Sequence, residues 1–90
     1  MPLADETVSV DGMVDWLTAT VARYAEQPES EIDPDRPLSD YGLDSVSAFA
    51  IITEIEDAFD IVPDVTVVWD HPTVRALASF LADFIRSERR

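Results

Sequence analysis

The residues best placed for chemistry lie in one short run, Asp40-Tyr41-Gly42-Leu43-Asp44-Ser45-Val46. A glycine-hinged turn there delivers an Asp and a Ser to the start of an apolar helical repeat, which leaves the Ser45 hydroxyl uncovered at the edge of the domain. That placement suits modification of the oxygen. A phosphodiester on it would lie beside unpaired amide N–H groups at the positive end of the helix dipole, an interaction worth about 0.3–1 kcal/mol. By physics alone, Asp44 and Ser45 also fit a plain role as capping residues.

Two other arrangements are testable on the residues. A serine hydrolase would draw on Ser45, the adjacent Asp44 and the single histidine, His71. Its nucleophile elbow needs Gly two residues after the Ser, where Ser47 stands, and ninety residues cannot build the sheet that supports one. His71, just before Pro72 at a helix entrance, reads as structural or superficial. A calcium loop is prompted by Asp33, Asp35 and Asp40, but an EF-hand spacing puts Pro37 at a ligand position and Leu38 where Gly belongs. No catalytic residue and no metal site is expected.

The elements that would position Ser45 follow from periodicity. Val14, Leu17, Val21 and Tyr24 recur at steps of three and four, predicting a first helix from near Asp11 to about Glu26; Met13, Trp16 and Ala19 form a second stripe. Residues 27–44 hold three prolines and Gly42 and cannot be one helix. This long loop is expected to be ordered, pinned by Ile32, Leu38, Tyr41 and Leu43. A second helix is predicted from Asp44 or Ser45 to near Phe59, burying Phe49, Ile52, Ile55 and Phe59 and turning Ser47, Ala48, Glu54 and Asp57 outward, with Ala50, Ile51 and Glu56 near the boundary. Residues 65–70 read as a brief helical turn rather than a strand, since a lone strand has nothing to pair with. Thr73 caps a last amphipathic helix carrying Val74, Leu77, Phe80, Leu81, Phe84 and Ile85 to about Arg86. The expected class is all-α: a bundle of three main helices and one short one around a long ordered loop, with residues 1–8 and 88–90 as tails and 9–87 as the domain.

Composition narrows the partners. The formal charge is −13, with nineteen Asp and Glu against six Arg and no Lys, so nucleic acid and anionic membranes would be repelled. Between Glu26 and Asp64 twelve acids face only Arg36, which makes the middle of the chain attractive to basic partners. There is no Cys, so any thiol chemistry needs an imported sulfur. No apolar stretch has signal-peptide or membrane-spanning length, and the chain reads as a cytoplasmic monomer.

Gly42-Leu43-Asp44-Ser45 resembles the attachment motif of acyl carrier proteins, and Asp70-His71-Pro72-Thr73-Val74 resembles a segment common in polyketide synthase carrier domains. The resemblance covers nearly the whole chain. It implies a four-helix carrier fold in which Ser45 bears 4′-phosphopantetheine, with Asp44 as its motif neighbour. It also implies that acyl groups travel as thioesters between enzymes of polyketide or fatty-acyl biosynthesis, and that the carrier itself catalyses nothing. The implied partners are a phosphopantetheinyl transferase with coenzyme A, and enzymes of the ketosynthase, acyltransferase or acyl-ligase type. Docking would fall on Val46, Ser47, Ala50, Glu56 and Asp57. Val46 departs from the usual Leu or Met, Ser47 and Ala50 are not acidic as in many fatty-acid carriers, and the Phe59–Pro63 connection is a residue short. The alternatives are a peptidyl carrier of a nonribosomal peptide synthetase and an acidic helical adaptor with no prosthetic group.

Overall fold

A computed structural model describes residues 9–64 and 66–88; the expected tail at 1–8 lies outside them, as do Val65 and the last two arginines. Four helices follow in order: α1 Val10–Ala25, α2 Ser45–Phe59, α3 Val67–Asp70 and α4 Val74–Glu88. No strand occurs among the described residues. Each boundary has a local cause. Ser9 caps α1 by accepting from the Gly12 N–H at 3.1 Å. The helix ends where Glu26 turns left-handed at φ 57° and Gln27 N–H reaches back to the Ala22 carbonyl at 3.1 Å, just before Pro28. Thr73 Oγ1 caps α4 by accepting from Ala76 N–H, and α4 continues through Glu88, past the expected end at Arg86.

The core forms where the helices meet: Met13, Leu17 and Val21 from α1, Ile51, Ile52, Ile55 and Phe59 from α2, and Val74, Leu77, Leu81 and Ile85 from α4. The buried face of α1 is rotated from the expected one. Met13 and Thr20 are inside, while Val14 and Tyr24 are half-buried. Thr20 tolerates burial because its hydroxyl donates to the Trp16 carbonyl at 2.9 Å. Trp16, on the second stripe, is half-buried and makes a T-shaped contact with Phe59, ring centroids 5.0 Å apart. On α4, Ala78 and Ala82 are buried, while Phe80 and Phe84 stand half-buried.

The main correction is on α2. Phe49, expected in the core, is 60% exposed, and Ala48, expected outside, is 6% exposed. Ile52, Ile55 and Phe59 fit both readings, so Ile51 decides between them. At about 100° per residue Ala48 falls near the centre of the arc defined by Ile51, Ile52, Ile55 and Phe59, and Phe49 lies about 60° beyond its edge. Residue size misled where angle was the better guide. Phe49→Ala is therefore expected to change stability by no more than about 0.5 kcal/mol, as surface substitutions do; a urea melt showing a much larger loss would return Phe49 to the core.

Glu54, expected to face outward, is half-buried and ties α2 to the end of α1. Its carboxylate accepts from Arg23 at 2.5 Å and from the Tyr24 hydroxyl. Burial pushes this carboxyl up, but the two hydrogen bonds and the Arg23 charge outweigh it and hold it below the ordinary range.

Candidate functional site

The loop that delivers Ser45 is ordered, as expected, and its pins are identifiable. Ile32, Leu38 and Tyr41 are buried and Leu43 packs against the core. The Tyr41 hydroxyl accepts from Asp33 N–H at 2.7 Å and donates to the Asp33 carbonyl at 3.2 Å, closing the loop on itself. The loop is also stitched to the α3–α4 junction. Leu38 N–H donates to the Pro72 carbonyl at 2.8 Å, Arg75 N–H donates to the Pro34 carbonyl at 2.9 Å, and Arg75 Nε meets Asp35 Oδ1 at 2.6 Å.

Past a single 3-10 turn at Leu38–Tyr41 the chain reverses through Gly42, whose φ of 72° is left-handed. A Cβ there would meet nothing within 4 Å, so glycine is favoured for its backbone freedom and not for space. Asp44 then caps α2, its Oδ1 accepting from Ser47 N–H at 2.8 Å. Ser45 is the first residue of α2 and is exposed, as is Val46 at 77%. The other expected docking residues spread around the same helix, with Asp57 exposed and Ser47, Ala50 and Glu56 half-buried.

Hydrogen bonding to Ser47, first its backbone N–H and then its hydroxyl, holds the Asp44 carboxyl below the usual aspartate range. A carboxyl depressed in the folded state stabilises the fold above its unfolded pKa of about 3.9, and that contribution is lost as pH falls through the folded value. Asn caps helices as well as Asp but does not titrate. Asp44→Asn is therefore expected to melt close to wild type at about pH 7 and to lose less on acidification to about pH 3, whereas Asp44→Ala melts lower at neutral pH. Thermal melts of the three proteins at both pH values check this.

Beside Ser45 opens a cleft of about 420 Å³ between the loop, α2 and α3, with Leu38, Leu43 and Ile51 on its walls and Val68 and Trp69 facing them. Neither Trp69 nor the cleft was foreseen. A single-turn helix has too few residues to show a periodicity, and no local pattern marks which of its side chains lines a hollow.

The residues of the enzyme and calcium arrangements are engaged elsewhere. No hydrogen bond joins Ser45, Asp44 and His71; Asp44 is engaged as a cap, and the His71 ring stacks on Phe80 at 4.4 Å. Asp33 accepts from Asp35 N–H, Asp35 pairs with Arg75, and Asp40 pairs with Arg36 at 3.2 Å. Among the described residues no three acids or histidines converge on one point.

A helical domain of three long helices and one short one, with an ordered loop placing a bare serine at the head of the second, is the architecture of a carrier domain. The family model for the phosphopantetheine attachment site matches residues 15–81, and the chain belongs to that family. The group that goes with such a domain is phosphopantetheine, held covalently. Sequence relatives include a phenolphthiocerol/phthiocerol polyketide synthase of Mycobacterium tuberculosis, 42% identical over 73% of this chain and 4% of the synthase. Polyketide synthase PksL of Bacillus subtilis is 36% identical over 86% of this chain and 2% of the synthase. The chain thus spans only a few per cent of these relatives' length and matches carrier domains within them. Among solved structures, acyl carrier protein LipD of Actinoplanes friuliensis is 42% identical with a TM-score of 0.72, covering 88% of each chain. A free-standing peptidyl carrier protein of Acinetobacter baumannii is 29% identical with a TM-score of 0.83, covering 87% of this chain and 98% of its own.

Proposed function

We propose that Ser45 is the position that receives the arm, and that the loaded domain carries acyl intermediates of polyketide or fatty-acyl assembly between enzymes. The observation that carries this reading is the uncovered Ser45 side chain at the head of α2, directly after the Asp44 cap and inside the matched segment. In loading, a bond forms between Ser45 Oγ and the phosphorus of coenzyme A that bears the pantetheine, the bond from that phosphorus to the adenosine bisphosphate half breaks, and the serine proton leaves with the transferase's help. The thiol at the far end of the arm supplies the thioester chemistry, which suits a chain with no sulfur nucleophile of its own.

The chain's own part is to present and be recognised. Asp44 fixes the first turn of α2 and Gly42 aims it; on this reading the partner enzymes supply the thioester chemistry and the chain serves them as a substrate. Those partners are a phosphopantetheinyl transferase and enzymes of the ketosynthase, acyltransferase or acyl-ligase type. The outer face of α2, with Val46, Ser47 and Ala50 near Ser45 and Glu56 and Asp57 toward the other end, suits a partner with an apolar contact and a basic rim. Coenzyme A places the loading step in the cytoplasm. Relatives matched by sequence lie in polyketide synthases, which favours acyl over peptidyl cargo. Incubation with coenzyme A and a broad-specificity phosphopantetheinyl transferase tests the reading: the intact mass should rise by one arm, and an unchanged mass would leave the adaptor reading in its place.

A further inference from the structure

We infer that Arg75, at the start of α4, is a positioning residue for loading: it holds the loop that delivers Ser45 in the orientation that a transferase meets. This rests on Ser45 being the attachment position. Arg75 does not line the cleft beside that serine. It acts through Asp35 and the loop that runs on from it.

The residue is out of place for the helix that carries it. Arg75 is the second residue of α4, and a cation in the first turn meets the positive end of the helix dipole, where acids are favoured. No acid stands in that turn to offset it. What Arg75 gains lies outside the helix. Its Nε meets Asp35 Oδ1 at 2.6 Å. That hydrogen bond and the Asp35 charge push the guanidinium above the usual arginine range, and the charges of Asp11 on α1 and Asp33 in the loop add to them. One guanidinium thus faces acids of both α1 and the loop from the head of α4. The other arginines among the described residues pair elsewhere, Arg23 with Glu54, Arg36 with Asp40 and Arg86 with Asp83.

Arg75 is also part of a larger brace. Its N–H, one of the first-turn donors that a helix leaves unpaired, donates to the Pro34 carbonyl at 2.9 Å. Leu38 N–H donates to the Pro72 carbonyl at 2.8 Å, and Pro37 and Thr73 form an antiparallel bridge between these two bonds. Residues 34–38 therefore run against 72–75 as a short ribbon, its register set by the backbone and one end closed by the Arg75–Asp35 pair. From this ribbon the chain passes directly into the Leu38–Tyr41 turn, Gly42 and the Asp44 cap, so a tilt of the ribbon is carried to Ser45. The Arg75 and Asp35 side chains are both more than half exposed, and an ion pair so open to water contributes little to overall stability. Its service is to orientation.

Loading of Arg75→Gln, Asp35→Asn and the double variant from coenzyme A tests this. Both single variants should raise the KM of the transferase for the carrier about threefold with kcat unchanged, because only molecules that present Ser45 bind productively. The double variant should be no worse than Arg75→Gln alone, since the pair is already broken there. In the folded proteins the amide resonances of Gly42 and Ser45 should shift in both single variants, which a pair serving stability alone would not produce. Direct contact between the transferase and these charges gives a different pattern. The two substitutions change the net charge in opposite senses, so KM would move in opposite directions, and that result overturns the inference. Wild-type KM in Arg75→Gln, or Gly42 and Ser45 resonances that stay in place, overturns it too while leaving the Ser45 assignment intact. A wild-type chain that gains no mass overturns the Ser45 assignment, and this inference with it.

Discussion

Ser45→Ala protein, incubated with coenzyme A and a transferase that loads the wild type fully, is expected to keep its unmodified mass. The effect should be all-or-none, because loading forms a bond to one particular oxygen and alanine has none. The substitution isolates that oxygen from the fold. Ser45 is exposed, and the α2 cap belongs to Asp44, whose hydrogen bond reaches Ser47 and bypasses Ser45. Alanine is also the best helix former, so the melting curve should move by no more than about 0.5 kcal/mol. Two nearby hydroxyls make the specificity testable. Ser39 lines the same cleft and Ser47 lies two residues along α2. Ser39→Ala and Ser47→Ala should each still gain one arm, and a Ser45→Ala protein that gained one would show the attachment point to be elsewhere.

Much of this arrangement was legible in the residues. The prolines between Pro28 and Pro37 excluded a helix, and Ile32, Leu38 and Tyr41 were identifiable as pins because isolated apolar residues in a polar loop have little other reason to be there. Asp44 was readable as a cap from its type and from the apolar repeat that starts after it. What failed was the choice between two helix faces that share most of their large residues, as for Phe49 against Ala48 on α2 and for Val14 against Met13 on α1. A small residue such as Ala48 contributes little to any hydrophobic pattern, yet it is buried at the centre of the inward face of α2. The ties between Pro34, Asp35, Leu38 and the Pro72–Arg75 segment were hidden for a different reason. Most are backbone hydrogen bonds across long sequence separations, and side-chain patterning does not encode them.

The same distinction separates two phenylalanines ten residues apart on one helix. Phe59 is 2% exposed, sits in the last turn of α2 and meets the Trp16 ring in a T-shaped contact. Phe59→Ala removes a whole ring from a closed core and leaves a cavity, which costs about 3–5 kcal/mol in comparable sites. The lost edge-to-face contact is part of that figure, worth about 0.5–1.5 kcal/mol by itself. Domains are stable by only about 5–15 kcal/mol, and one of ninety residues has a small core to draw on, so Phe59→Ala is expected to be partly unfolded at ambient temperature. Urea unfolding followed by far-ultraviolet circular dichroism should show a sharply lowered midpoint. Trp16 emission should move toward the red in the folded fraction as its partner ring disappears. Phe59→Leu, which keeps most of the volume, should recover the larger part of the loss. Because Phe59 closes α2 at the end opposite Ser45, the destabilised protein should also load more slowly under conditions where the unfolded fraction is large, and at the wild-type rate where added osmolyte restores the fold. A loading defect that persisted in the refolded protein would mean that Phe59 influences the site by a route other than stability.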